Sequence, residues 1–213
     1  SRRYIDLLMP VLKAWNTETG NIVCDDAIQV FGGMGFVEET GVAQHYRDSR
    51  VTRIYEGTTG IQANDLVGRK ILRENGATLR ELLADIRSES ATLAQVPELA
   101  GYAHALSVNV GDLERAAEFL MAQGKDQAAT TQAAAVPFLH LCGLVCAGWR
   151  VAQAARAAHA GLAEAPENGD YLRGVLAIAD FWFATYAPQV RAHAETVLAS
   201  ACVAAAPESV FIA

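Results

Sequence analysis

No basic block of lysine and arginine longer than two residues occurs in the sequence, and the chain carries a formal net charge of −7. Nucleic acid needs a basic surface to displace its counterions, so no nucleic-acid partner is expected. Cysteine is sparse. Cys24, Cys142, Cys146 and Cys202 are widely scattered and give no disulfide framework, so a cytoplasmic location is expected. No apolar stretch reads as both long enough and charge-free enough to cross a bilayer. The longest, Ala133 to Trp149, is interrupted by Pro137 and His140 and followed by Arg150, which predicts a buried helix and no membrane span. No secretory leader is read at the start, where Arg2 and Arg3 precede a polar, turn-rich stretch. The first residue is Ser, so a processed piece of a longer chain is one expectation.

What is present is apolar. Hydrophobic residues make up 52% of the 213, enough for one sizeable core or two small ones. Charged and apolar residues mix along the whole length, which argues against disorder. Residues 1–75 and 76–213 read as two parts. Glycines cluster in the first, at Gly32, Gly33, Gly35, Gly41, Gly57 and Gly60. In that part Thr17 or Thr19 can cap a helix to about Phe31, with Val23, Ala27, Val30 and Phe31 on one face. Gly32 and Gly33 stop it. A short helix follows Thr40 to about Arg50, and Val51 to Tyr55 reads as extended or irregular. Thr58 or Thr59 caps a further helix to Glu74, with Thr59 and Gln62 as a capping box. Asn75-Gly76 ends it.

Residues 76–213 are alanine-rich, with few breakers. Four helices are predicted, near 77–95, 98–123, 126–161 and 169–205. The breaks fall at Val96-Pro97, Gln123-Gly124-Lys125 and Glu164 to Gly169. Pro137 and Pro188 should kink or split the last two helices. Short connections between long helices favour an up-down bundle, so the fold class is all-α.

Two segments could carry chemistry. In Gln29-Val30-Phe31-Gly32-Gly33-Met34-Gly35-Phe36, glycines let a backbone approach a ligand, and free N–H groups could hold a pyrophosphate. The glycines follow a helix instead of opening one, so this is not a Rossmann fingerprint, and taken alone the segment is better explained as a plain helix C-cap. The second segment is Tyr46-Arg47-Asp48-Ser49-Arg50-Val51-Thr52-Arg53-Ile54-Tyr55-Glu56-Gly57-Thr58. Ion pairs among Arg47, Asp48 and Arg50 could hold it. Glu56 precedes a helix start, where a carboxylate often serves only the helix dipole.

Together, from about Asp25 to Arg73, these motifs resemble the acyl-CoA dehydrogenase family in order and spacing. The resemblance implies the end of that family's carboxy-terminal helical domain in residues 1–75. It implies an FAD-dependent oxidation of an acyl-CoA to a trans-2-enoyl-CoA. Glu56 matches the base that removes the α-proton, while a hydride leaves the β-carbon for the flavin N5. The amide of the base residue, with a flavin ribityl hydroxyl, polarises the thioester carbonyl. Gln29, Gly32 and Gly33 match residues that contact the flavin of a neighbouring subunit. Thr58 matches a residue at the flavin of its own subunit, and Gln62 lies at the same helix start. Tyr55 and Gly57 match residues lining the acyl and thioester region, and Arg47 matches a structural arginine.

The helix after the base reads Thr58-Thr59-Gly60-Ile61-Gln62, where the family often has Thr-Ser-Gln-Ile-Gln. That variant resembles a longer subgroup, with enzymes similar to 3-methylmercaptopropionyl-CoA dehydrogenase, that carries an extra helical domain. Residues 76–213 fit that accessory bundle. Implied partners are an acyl-CoA, an electron-transfer flavoprotein and further copies of the chain, in a homodimer or homotetramer. The family's flavin- and CoA-contacting domains precede the matched part. The 213 residues by themselves are therefore expected to bind FAD poorly and to lack turnover. The rivals are a helical packing or oligomerisation module without chemistry, and an acyl-CoA oxidase.

Other polar residues read as structural. Cys142 and Cys146 sit one helical turn apart near His140 but among leucines, so buried core cysteines and no metal are expected. His193-Ala194-Glu195 lacks the cysteines of a zinc deaminase. His104 and His159 lie on predicted helices. Phe181, Trp182, Phe183 and Tyr186 form an aromatic cluster read as core or a domain contact.

Overall fold

Periodic apolar residues build the described part of the chain into helices. The computed structural model describes residues 2–124, 126–164 and 166–206, and they contain no strand. Helix α1 spans Arg2–Phe31. A single turn, α2 (Gly33–Phe36), and a 3-10 turn lead into α3 (Val42–Thr52). After the turn at residues 53–58 come α4 (Thr59–Asp65) and a π-helical segment, Leu66–Leu72. Then follow α5 (Ala77–Leu93), α6 (Ala100–Gln123), α7 (Ala128–Glu164), α8 (Gly169–Thr185), α9 (Gln189–Leu198) and α10 (Ser200–Ala204).

The start of α1 differs from the expected cap at Thr17 or Thr19. Leu7, Val11 and Ala14 recur at helical spacing and are buried, so helix already forms from Arg2. Thr17 lies inside it, and its hydroxyl donates back to the carbonyls of Lys13 (2.9 Å) and Ala14 (3.1 Å). The expected apolar face of Val23, Val30 and Phe31 is present but uncovered, with Val30 85% exposed. Val51 to Tyr55 is not extended: Val51 and Thr52 close α3, and a tight turn follows.

The helix expected to Glu74 changes pitch at Leu66. The wider π turn lets Leu66, Val67 and Ile71 all face the core. The capping box does not form. Thr58 is the cap position without a side-chain bond, Thr59 turns to α1, and Gln62 turns to the preceding loop.

The bundle is organised around α7. Ala134, Phe138, Leu141, Val145, Ala152 and Ala155 line its buried face, and α1, α4, α5, α6, α8 and α9 all pack on it. Its glycines are seats for bulky neighbours. A Cβ on Gly143 would stand 2.4 Å from the Trp15 ring of α1. One on Gly148 would stand 3.2 Å from the Trp182 indole nitrogen of α8, and one on Gly161 3.3 Å from Leu172. α5 and α6 run antiparallel, as Ser90 to Ala103 (2.8 Å), Arg87 with Glu114 and Arg80 to Met121 (3.8 Å) demonstrate. Ion pairs of Arg115 and Arg191 with buried Asp112 and with Glu195 join α6 to α9.

Pro137 does not end α7, which stays helical through it. Pro188 does split the last expected helix, separating α8 from α9. The expected break at Lys125 falls outside the described residues. One expectation needs correcting: α7 is long and apolar enough to cross a membrane. More than half of that stretch is buried inside the bundle, where a central helix has the same composition.

Candidate functional site

The Glu56 segment is a turn held on three sides. Glu56 has φ 56° and Gly57 φ 95°. The second is open to glycine, but the first is uncommon for a residue with a Cβ. Gln62, one turn into α4, donates to the Glu56 carbonyl at 2.9 Å. Lys13 of α1 donates to the Gly57 carbonyl at 2.5 Å, and its ammonium lies 6.0 Å from the Tyr55 ring centroid. Glu18, one and a half turns further along α1, takes both ends of the turn. Its Oε1 accepts from the Thr59 hydroxyl at 2.5 Å, and its Oε2 pairs with Arg53. Asn21, buried on the same helix, donates to the Ser49 carbonyl at 3.0 Å.

Glu56 itself points outward. It is exposed, and among the described residues its carboxylate has no ion pair and its amide no protein acceptor. Tyr55 is half exposed, Thr58 is exposed, and Gly57 is partly covered by Ile61 and Gln62. Tyr55, Glu56, Gly57, Thr58 and Gln62 thus share one turn and the start of α4.

Gln29, Gly32 and Gly33 lie elsewhere, at the far end of α1. Gln29 is eleven residues beyond Glu18, roughly 16 Å along the helix axis. All three are exposed, and nothing lies within 4 Å of where a Cβ on Gly32 or Gly33 would stand. Gly32 has φ 60° and ψ −142°, a conformation that needs glycine. Gly35 is different: a Cβ there would meet the Ile28 carbonyl at 2.5 Å, so it is a packing glycine. The two groups of site residues are not brought together within one chain.

Arg47 pairs with Glu38 at 2.7 Å and not with Asp48 or Arg50. The brace of the turn is instead Arg53 with Glu18. Sequence reading missed Lys13 and Glu18, since each contacts a partner more than forty residues away and carries no local motif.

A groove of about 390 Å³ adjoins the same stretch of α1, lined by Trp15, Glu18, His140, Trp182, Tyr186 and His193 among others. His140 and His193 stack at 5.6 Å. Burial lowers the His140 pKa, with Glu18 opposing and Arg53 reinforcing; burial and then His140 lower that of His193. Cys142 is buried, and burial pushes the neighbouring Cys146 thiol up to about 12, which makes both poor nucleophiles. Among the described residues no three His, Cys, Asp or Glu groups are placed to hold a metal.

Comparison with known proteins joins the two parts of the chain. The family described as acyl-CoA dehydrogenase, C-terminal domain, matches residues 3–72. The family described as acetyl-CoA dehydrogenase C-terminal like matches residues 78–207. This chain belongs to the acyl-CoA dehydrogenase family. It is 38% identical over 181 residues to 3-methylmercaptopropionyl-CoA dehydrogenase of Ruegeria pomeroyi, covering 83% of this chain and 30% of that protein. It is 30% identical over 201 residues to a broad-specificity linear acyl-CoA dehydrogenase of Mycobacterium tuberculosis, covering 90% and 33%. The human mitochondrial short-chain specific acyl-CoA dehydrogenase is 46% identical over 52 residues, 24% of this chain and 13% of that one. The chain therefore spans about a third of the length of the first two relatives. It corresponds to the carboxy-terminal portion of acyl-CoA dehydrogenases, which are oxidoreductases.

Proposed function

We propose that this chain supplies the base side of the active site of an FAD-dependent acyl-CoA dehydrogenase, with Glu56 as the base. The observation that carries the reading is the conformation of Glu56: a non-glycine residue held at positive φ, exposed and, among the described residues, without an ion pair. Strain of this kind costs about 1–3 kcal/mol and persists where function requires it.

The residues expected at FAD suit such a group. Gly32 and Gly33 leave open space for a phosphate or nucleotide, and Thr58 has a hydroxyl not used as a cap. Gln62 already spends its amide nitrogen on Glu56, which leaves its carbonyl oxygen for a ligand. Bound FAD supplies a hydride acceptor for the β-carbon of the substrate.

The chain's own residues do the rest. The Glu56 carboxylate takes the α-proton of an acyl-CoA thioester, and the product is a trans-2-enoyl-CoA. The Glu56 amide, without a protein acceptor among the described residues, donates to the thioester oxygen as charge develops there. Tyr55 and Gly57 line the thioester end.

In this reading Gln29, Gly32 and Gly33 serve a flavin in a second copy of the chain, within a homodimer or homotetramer. Their distance along α1 from Glu18, which braces the Glu56 turn, supports that division. An electron-transfer flavoprotein would be the acceptor for the electrons that a bound flavin takes up. Residues 1–75 carry the site, and residues 76–213 form the accessory bundle behind it.

The test is Glu56→Gln in the flavin-loaded polypeptide that contains this chain, with butyryl-CoA and a ferrocenium acceptor. Flavin content should stay the same and turnover should fall by about a thousandfold or more. Near-normal turnover would remove Glu56 from the role.

A further inference from the structure

The turn that carries Glu56 has almost no core of its own. Arg53, Ile54, Tyr55, Glu56 and Thr58 are exposed or half exposed, so burial does not hold it. What holds it is polar and comes from α1. Glu18 is the centre of that hold: one carboxylate meets Arg53, three residues before Glu56, and Thr59, three residues after it. The Glu18 side chain is only 15% exposed and that of Arg53 33%, so water competes weakly for the pair. The Arg53 Nε is buried without a partner, which leaves Glu18 as the partner of that guanidinium among the described residues.

We propose that Glu18 is a positioning residue for the base: it pins both ends of the turn and so fixes where the Glu56 carboxylate stands. This rests on Glu56 being the base. Lys13 adds a third pin at Gly57 but acts on one carbonyl only. Glu18 touches neither substrate nor flavin in this account. Its effect therefore belongs in the proton-abstraction step and not in substrate affinity. A base displaced by about 1 Å loses roughly a hundredfold in rate while the rest of the site still binds.

Two experiments test this. In the 213-residue chain, amide hydrogen exchange is followed in wild type, Glu18→Ala and Glu18→Gln. Exchange of residues 53–58 should rise about tenfold or more in Glu18→Ala and less in Glu18→Gln, with α6 unchanged. In the flavin-loaded polypeptide that contains the chain, kcat for butyryl-CoA should fall by about tenfold or more in Glu18→Ala, with KM changed less than about threefold. Glu18→Gln, which can still accept from Thr59 but carries no charge for Arg53, should lie between.

If Glu18→Ala does not fold, Glu18→Gln and Thr59→Val carry the same two measurements. Unchanged exchange in residues 53–58, or full kcat in a Glu18 variant while Glu56→Gln is inactive, overturns the positioning role alone. Full activity of Glu56→Gln overturns the underlying reading of the site instead.

Discussion

Glu56 pays a conformational cost that a glycine would not. At φ 56° a Cβ crowds the backbone, and glycine adopts the same geometry without strain. Glu56→Gly should therefore raise the stability of the chain by about 1 kcal/mol while removing the carboxylate. Chemical denaturation of the two proteins checks it, and a less stable variant would mean that the side chain supports the turn. The histidine pair makes a second prediction. Both imidazoles have pKa values below their ordinary value because they are buried, so the folded chain binds fewer protons than the unfolded one. Stability from this source is complete above about pH 6.5 and falls as pH drops through that unfolded value toward the folded ones. The melting temperature should drop between about pH 7.5 and 5.5, and the double variant His140→Gln/His193→Gln should drop less. Equal slopes would show that other groups set the acid sensitivity.

Helix existence was legible along most of the chain, because apolar spacing and turn residues are local signals. What failed were the places where a distant contact overrides a local preference. Thr17 looked like a cap by its side chain, but Leu7, Val11 and Ala14 bury themselves upstream of it and extend α1. Thr59 and Gln62 have capping-box spacing, yet Glu18 and the Glu56 carbonyl bind them more usefully. Pro137 was expected to kink or split its helix; it does not split it, because α7 is packed on several sides and its neighbours hold it helical through the proline. The site residues at 55–62 were legible as a motif; Lys13 and Glu18 were not, since only the fold brings α1 beside them. At this scale Gly143 makes a clear case. A Cβ there meets the Trp15 indole at 2.4 Å, so α1 would have to move off α7. Gly143→Ala should cost about 1–3 kcal/mol, measured by thermal or chemical denaturation. A neutral substitution would show that Trp15 can turn aside freely.

At the scale of the molecule, an apolar core among the described residues runs from Leu7 on α1 through α5, α6 and α7 to Val197 on α9. Helices α5 and α7 thus pack directly behind the helix that braces Glu56. Against this, the outer surface keeps Ile22, Val23, Val30, Phe31, Met34 and Phe36 exposed. These residues flank Gln29, Gly32 and Gly33, the second copy's share of the site in the proposal above. In the proposal above, a chain spanning about a third of the length of its first two relatives would offer one wall of a flavin site. The purified 213-residue polypeptide should accordingly carry no stoichiometric flavin absorbance, and a flavin-loaded preparation would contradict that expectation. The central claim is that Glu56 removes the α-proton. The most direct measurement is exchange of the substrate α-protons in deuterated water, followed by NMR with the flavin-loaded polypeptide and butyryl-CoA. Wild type should exchange those protons and Glu56→Gln should not, with equal flavin content; exchange that continues in Glu56→Gln would contradict the claim.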